Sequence, residues 1–159
     1  MYERILIPLD GSEIGESALP HVEDLLSKLS PEVKAEVTLL QVLRPMRPYI
    51  VGGYEVPDIA YTEHEIEEIK KEAINYLNKA GETLRDKGAK VTARVAIGDV
   101  SEEIVKAAEE INANLIAIST HGRSGISRWA FGSVTDKVLR REGRIPILTV
   151  RAPKKDKKS

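Results

Sequence analysis

The sequence predicts an α/β domain: a Rossmann-like, doubly wound, five-stranded parallel sheet in the order 3-2-1-4-5 with helices on both faces. Three observations carry this prediction. Apolar runs of strand length recur at 5–9, 37–42, 91–95, 115–118 and 145–150, and helical spacing fills every gap between them. The runs at 5–9 and 115–118 are continuously apolar, as strands buried on both faces must be. Val91, Ala93 and Val95 alternate with Thr92 and Arg94, which suits a sheet edge.

The elements follow in order. After the first strand, Ile14, Ala18, Val22, Leu25 and Leu29 mark one helix face, with Ser12 placed as its N-cap and Pro20 positioned to bend it. After the second strand, Ile66, Ile69, Ala73, Leu77, Ala80 and Leu84 define a long helix. Thr62 to Glu65 has the form of a capping box, and Gly88 supplies the stop. A third helix is expected to follow Ser101, with Ile104, Ala108 and Ile111 on one side. A fourth begins near Gly132, carries Val134 and Val138, and ends at Gly143.

Two segments stand outside the pattern. Residues 44–61 form an 18-residue connection with Pro45, Pro48, Pro57 and the pair Gly52–Gly53, a length and composition expected of a lid-like loop. Residues 154–159 are a lysine-rich run, expected to be a disordered basic tail beyond a single domain over 1–153.

Composition limits the function. Lys plus Arg total 24 against 25 for Asp plus Glu, so no net field favours nucleic acid or an anionic membrane as partner. With no cysteine there is no disulfide framework and no thiolate chemistry. No apolar run approaches the roughly 18 residues of a membrane span, and no leader-like stretch precedes the first strand, so a cytoplasmic location is expected. A Walker-type loop, a G-x-G-x-x-G turn after strand one, a G-x-S-x-G elbow and an H-E-x-x-H pair are all missing from the sequence.

In a sheet of this order, strands one and four are neighbours whose connections leave in opposite directions, opening a crevice at their carboxyl ends. Pro8 to Ser12 enters it from strand one. Ser119 to Gly125 enters from strand four, followed by Gly132 and Ser133 at the start of the last helix. Glycines allow close backbone approach to a phosphate, and a helix N-terminus offers free N–H groups and a favourable dipole. Gly122, Gly125, Gly132, Ser133 and Val134 meet those needs, although Ser133 serves equally as a helix cap. Asp10 suits a ribose or base hydrogen bond, or a metal held on the phosphates; capping of the first helix by Asp10 or Ser12 is the structural alternative. Val42 places its backbone where an adenine edge would lie, or is simply core. His121 is the histidine of the crevice, a phosphate contact or general acid without an evident orienting partner. Trp129 and Phe131 are expected to pack the loop.

Ser119-Thr120-His121-Gly122, followed after nine residues by Gly132-Ser133, resembles the nucleotide motif of the universal stress protein family. Ile5 to Ser12 and Ile97-Gly98-Asp99 are also similar to that family, and the likeness runs to about Pro153. The resemblance implies an ATP-binding domain, a homodimer joined along strand 145–150, and an adenylate ligand (ATP, AMP or another), with Mg²⁺ reaching Asp10 through the nucleotide. Carried over by position, Pro8, Asp10 and Val42 surround adenine and ribose, while Gly122, Gly132, Ser133 and Val134 hold the phosphates. Ser119 replaces the first glycine of the motif, where a Cβ crowds the ligand unless φ is negative. The expected activity is that of a stress-response binding protein, a nucleotide-dependent dimeric switch read by a protein partner, and not an enzyme. The alternatives are a slow metal-dependent ATP hydrolase or phosphotransferase and a nucleotide-free structural dimer.

Overall fold

The computed structural model describes residues 2–44, 46–120, 133–141 and 144–152. Strands β1 (Arg4–Pro8), β2 (Glu36–Leu43), β5 (Lys90–Ile97), β6 (Leu115–Ser119) and β7 (Ile147–Val150) form one parallel sheet in the order β5-β2-β1-β6-β7. Counting these strands alone, that is the predicted 3-2-1-4-5. Ile5 pairs with Val37 on one side and with Leu115 on the other, which makes β1 the centre of the sheet.

Strand periodicity divides the core into two layers. Ile5, Ile7 and Leu39 face Val22 and Leu26 of α1 (Leu19–Ser27), Leu77 of α2 (Glu63–Ala80) and Leu84 of α3 (Glu82–Asp86). Leu6, Leu40 and Ile116 face Ile104 and Ala108 of α4 (Val100–Glu110) and Val138 of α5 (Ser133–Arg141). Each fully buried Leu or Ile contributes roughly 1.5–3 kcal/mol, so both layers are needed to hold the domain. As expected, β6 is buried along its whole length and β5 lies at an edge.

Several local expectations are corrected. The first helix is preceded by a 3-10 turn at Gly15–Ala18, and Pro20 falls in the first turn of α1, where its missing N–H costs nothing. Ser12 does not cap α1: its hydroxyl accepts from the Gly15 N–H at 2.9 Å, where the 3-10 turn begins after its N-cap Ile14. The long second helix breaks at Gly81, which ends α2 and precedes α3; the position requires glycine, since a Cβ there would lie 2.8 Å from Val91 Cγ1 and 3.2 Å from Leu39 Cδ1. Its capping box at Thr62 and Glu65 is present, and Gly88 sits at φ +86° past its end. The helix expected after Ser101 begins earlier, at Val100, and Asp99 caps it as α4: its carboxylate accepts from the Glu102 N–H at 3.1 Å and from the Ser101 hydroxyl at 2.7 Å.

The largest departure is in residues 44–61. In place of an irregular loop they form an antiparallel hairpin of β3 (Met46–Val51) and β4 (Tyr54–Ala60), which turns on Gly52 and Gly53, both at positive φ. Such a two-residue turn matches the right-handed twist of a strand pair. Pro48 sits where the register shifts between Arg47 and Tyr49, a position at which a missing donor is tolerated. The hairpin leaves the carboxyl end of β2 and leads directly into α2.

Candidate functional site

A cavity of about 420 Å³ opens at the carboxyl ends of β1, β2 and β6, at the point where the strand order reverses. Its floor is apolar: Leu40, Val42, Val100, Ile104, Ile118 and Val134 all belong to the core layer under α4 and α5. Its rim is polar, with Asp10, Gln41, Arg44, Ser119, Thr120 and Thr135.

Of the residues named from sequence, Pro8, Asp10, Val42, Ser119 and Val134 line this one cavity. Ser133 opens α5, so the last helix points its N-terminus toward the same end of the sheet as the strand termini. Gly122, Gly125, Gly132, His121, Trp129 and Phe131 lie outside the described residues, as does the tail 154–159.

Asp10 is held by the loop that follows β1. Its Oδ1 accepts from the Ser12 N–H at 2.9 Å and from the Ser12 hydroxyl, and that hydroxyl in turn accepts from Gly15 N–H. Gly11 bends the loop at φ +83°, which only glycine adopts at little cost. Gly15 is equally constrained for a different reason, since a Cβ there would fall 2.5 Å from Asp10 Oδ1. From α2, the half-buried Tyr76 donates its hydroxyl proton to Glu16 at 2.8 Å. Burial, the bond to Glu16 and the charges of Glu16 and Asp10 push the phenol far above the ordinary tyrosine range, opposed by a bond from the Gly11 N–H.

Ser119 answers the question raised by its place in the motif. Among the described residues, Asn112 is the non-glycine residue with positive φ, so Ser119 keeps an unstrained backbone. Its hydroxyl turns to the Gly15 carbonyl at 2.9 Å. The side chain is thus spent on joining β6 to the loop after β1.

Sequence reasoning did not single out Gln41, Arg44, Thr120 or Thr135 as site residues. Thr120 and Thr135 are 4% and 1% exposed, so two hydroxyl-bearing side chains sit buried at the cavity wall. The Oε1 of Gln41 is buried without a hydrogen-bond partner, the one such side-chain atom among the described residues. An unpaired buried acceptor costs about 1–3 kcal/mol, which a ligand N–H or O–H would recover. The signals were present but weak: Gln41 is a polar residue within an apolar strand, and Thr135 follows two residues after Ser133. Val100 and Ile104 carried only a helical core pattern.

The cavity supplies one carboxylate, that of Asp10, among its described lining residues. Among the described residues no group of three or more His, Cys, Asp or Glu gathers to hold a metal. No helix among them is long and apolar enough to cross a membrane.

The family model described as the universal stress protein family matches residues 1–151. Universal stress protein MJ0531 of Methanocaldococcus jannaschii is 30% identical over 156 residues, covering 98% of this chain and 86% of its own. Universal stress protein YxiE of Bacillus subtilis is 33% identical over 156 residues, covering 95% of this chain and 100% of its own. The solved structure of MJ0577 aligns with a TM-score of 0.74 at 29% identity, over 97% of this chain and 99% of that one. The fold is shared with universal stress proteins solved with cAMP (TM-score 0.63, 20% identity, 94% and 97% covered) and, from Archaeoglobus fulgidus, with dAMP (0.60, 20%, 93% and 97%). It is shared also with an Arabidopsis thaliana family protein with AMP bound (0.61, 13%, 96% and 94%). With nearly its whole length matched by the family model and by full-length relatives, this chain belongs to the universal stress protein family.

Proposed function

We propose that the protein binds an adenine nucleotide in the cavity at the carboxyl ends of β1, β2 and β6, and acts as a nucleotide-dependent switch and not as an enzyme. The observation that carries this is the pairing of an apolar floor with a polar rim at the reversal of strand order. A purine base suits the floor of Leu40, Val42 and Ile104, and its amino group is the kind of donor that Gln41 Oε1 lacks. Asp10 is placed to accept from ribose hydroxyls. Phosphates run toward Ser119, Thr120 and the N-terminus of α5, where the helix dipole favours anions. A volume of about 420 Å³ is within the range of small-molecule sites. Family members of the same fold solved with cAMP, dAMP and AMP support an adenylate as the ligand. ATP is the adenylate we favour, with Mg²⁺ held by the phosphates and met by Asp10.

The output of the switch is assigned to the β3–β4 hairpin, which leaves the cavity wall at Arg44, and to a protein partner that reads it. β7 is a sheet edge with Ile147 and Leu148 half buried, and pairing it with a second copy would cover an apolar edge strand. The test is mass spectrometry of small molecules released from freshly purified protein, then calorimetric titration with AMP, ADP and ATP with and without Mg²⁺. Micromolar binding without turnover is the expected result. No released nucleotide and no binding heat overturns the assignment, and metal-dependent turnover abolished by Asp10→Asn replaces the switch with an ATP hydrolase.

A further inference from the structure

Tyr76 lies on α2 and is not part of the cavity wall, yet its hydroxyl donates to Glu16 Oε1 of the loop that carries Asp10, at 2.8 Å. The Glu16 N–H is bonded back to the Ser12 carbonyl at 3.2 Å, and Ser12 aims the Asp10 carboxylate through its N–H at 2.9 Å and its hydroxyl. The phenol therefore fastens the loop at Glu16, two bonded steps from Asp10. At the far side the same loop is tied to β6 by Ser119 and Gly15. Without the phenol hydroxyl the Glu16 carboxylate loses this partner, and the loop keeps its tether to β6.

We propose that Tyr76 is a positioning residue, which holds the loop 10–16 so that the Asp10 carboxylate is presented to the hydroxyl groups of a bound ribose. The proposal rests on the assignment of an adenine nucleotide to the cavity. It requires that the loss of the phenol hydroxyl be felt by ligands that carry a ribose diol and hardly at all by those that lack one. A purely structural role would weaken both alike.

The test uses the full chain and the probes AMP and 2′,3′-dideoxy-AMP, titrated against wild type, Tyr76→Phe, Asp10→Asn and the double variant. In Tyr76→Phe the AMP affinity is expected to fall about tenfold, as for loss of one well-placed charge-assisted hydrogen bond, while dideoxy-AMP affinity changes by less than about twofold. In the Asp10→Asn background the same substitution should leave the ratio of the two affinities unchanged. Amide exchange at Glu16, whose N–H bonds to the Ser12 carbonyl, should quicken about tenfold or more in ligand-free Tyr76→Phe. Equal weakening of both ligands, or an unchanged affinity ratio in a variant that binds AMP, overturns the role of Tyr76 and leaves the nucleotide assignment standing. Wild-type protein that binds neither probe overturns the assignment itself and the proposal with it. Unaltered Glu16 exchange removes the physical basis of the tether whatever the affinities show.

Discussion

The Ser119 hydroxyl donates to the Gly15 carbonyl at 2.9 Å, so the strand that ends at the crevice is bonded to the loop that carries its carboxylate. Both residues are buried, and the bond spans two walls of the cavity. Ser119→Ala should destabilise the domain by about 1–3 kcal/mol, the cost of leaving a buried carbonyl unpaired. Adenylate affinity should change by less than about threefold, because the hydroxyl is already committed within the protein. Urea denaturation and calorimetric titration of the same variant check both halves.

Gly15 has no room for a side chain. Gly15→Ala would place a Cβ 2.5 Å from Asp10 Oδ1 and 3.2 Å from Ser12 Oγ. Relief requires Asp10 to move, so we expect at least a tenfold loss of adenylate affinity together with about 1–3 kcal/mol of overpacking. A variant that binds with wild-type affinity would remove Asp10 from the site.

The cap of α4 gives an acid-dependent prediction. The Ser101 hydroxyl first and the Glu102 N–H second hold the Asp99 carboxyl below its ordinary range. A depressed folded-state pKa contributes stability above the unfolded value of roughly 3.9, lost as pH falls through the folded value. Asp99→Ala should therefore cost about 1 kcal/mol at pH 7 in urea titrations. The difference from wild type should shrink as the pH is lowered below about 4.

Tyr76 gives the alkaline counterpart. Burial and Glu16 raise its pKa in the folded state, so its contribution is complete below the unfolded value of about 10 and declines as pH rises above it. Wild-type stability should fall more steeply above pH 10 than that of Tyr76→Phe. Absorbance at the tyrosinate band should show one of the five tyrosines ionising only with unfolding.

The sheet was legible because burial on both faces demands uninterrupted apolar residues, which Ile5 to Ile7 and Leu115 to Ile118 provide. The order of strands followed from where the alternating run of Val91, Ala93 and Val95 had to lie. The hairpin at 46–60 was not legible: Pro48 and Pro57 argue against strands, and the Gly52–Gly53 turn outweighs them only because Pro48 falls at a break in the register. Helix starts were the less legible part, as where α4 begins at Val100 and not after Ser101. Asp10 and Ser119 line the cavity where the ends of strands one and four and the motif resemblance placed them. Val100 and Ile104 were hidden, since a residue that floors a cavity and one that fills a core share the same pattern.

The partners Gly15 and Ser119 are 104 positions apart. Because β1 sits between β2 and β6, the first strand has one wall of its cavity early and must wait for the other. During synthesis, at about 5–20 residues per second, a chain emerging from the ribosome would carry Asp10 for several seconds before β6 exists to complete the pocket. Occupancy is then a property of the finished protein, and ligand captured on a nascent chain would mark the moment at which its two halves have joined.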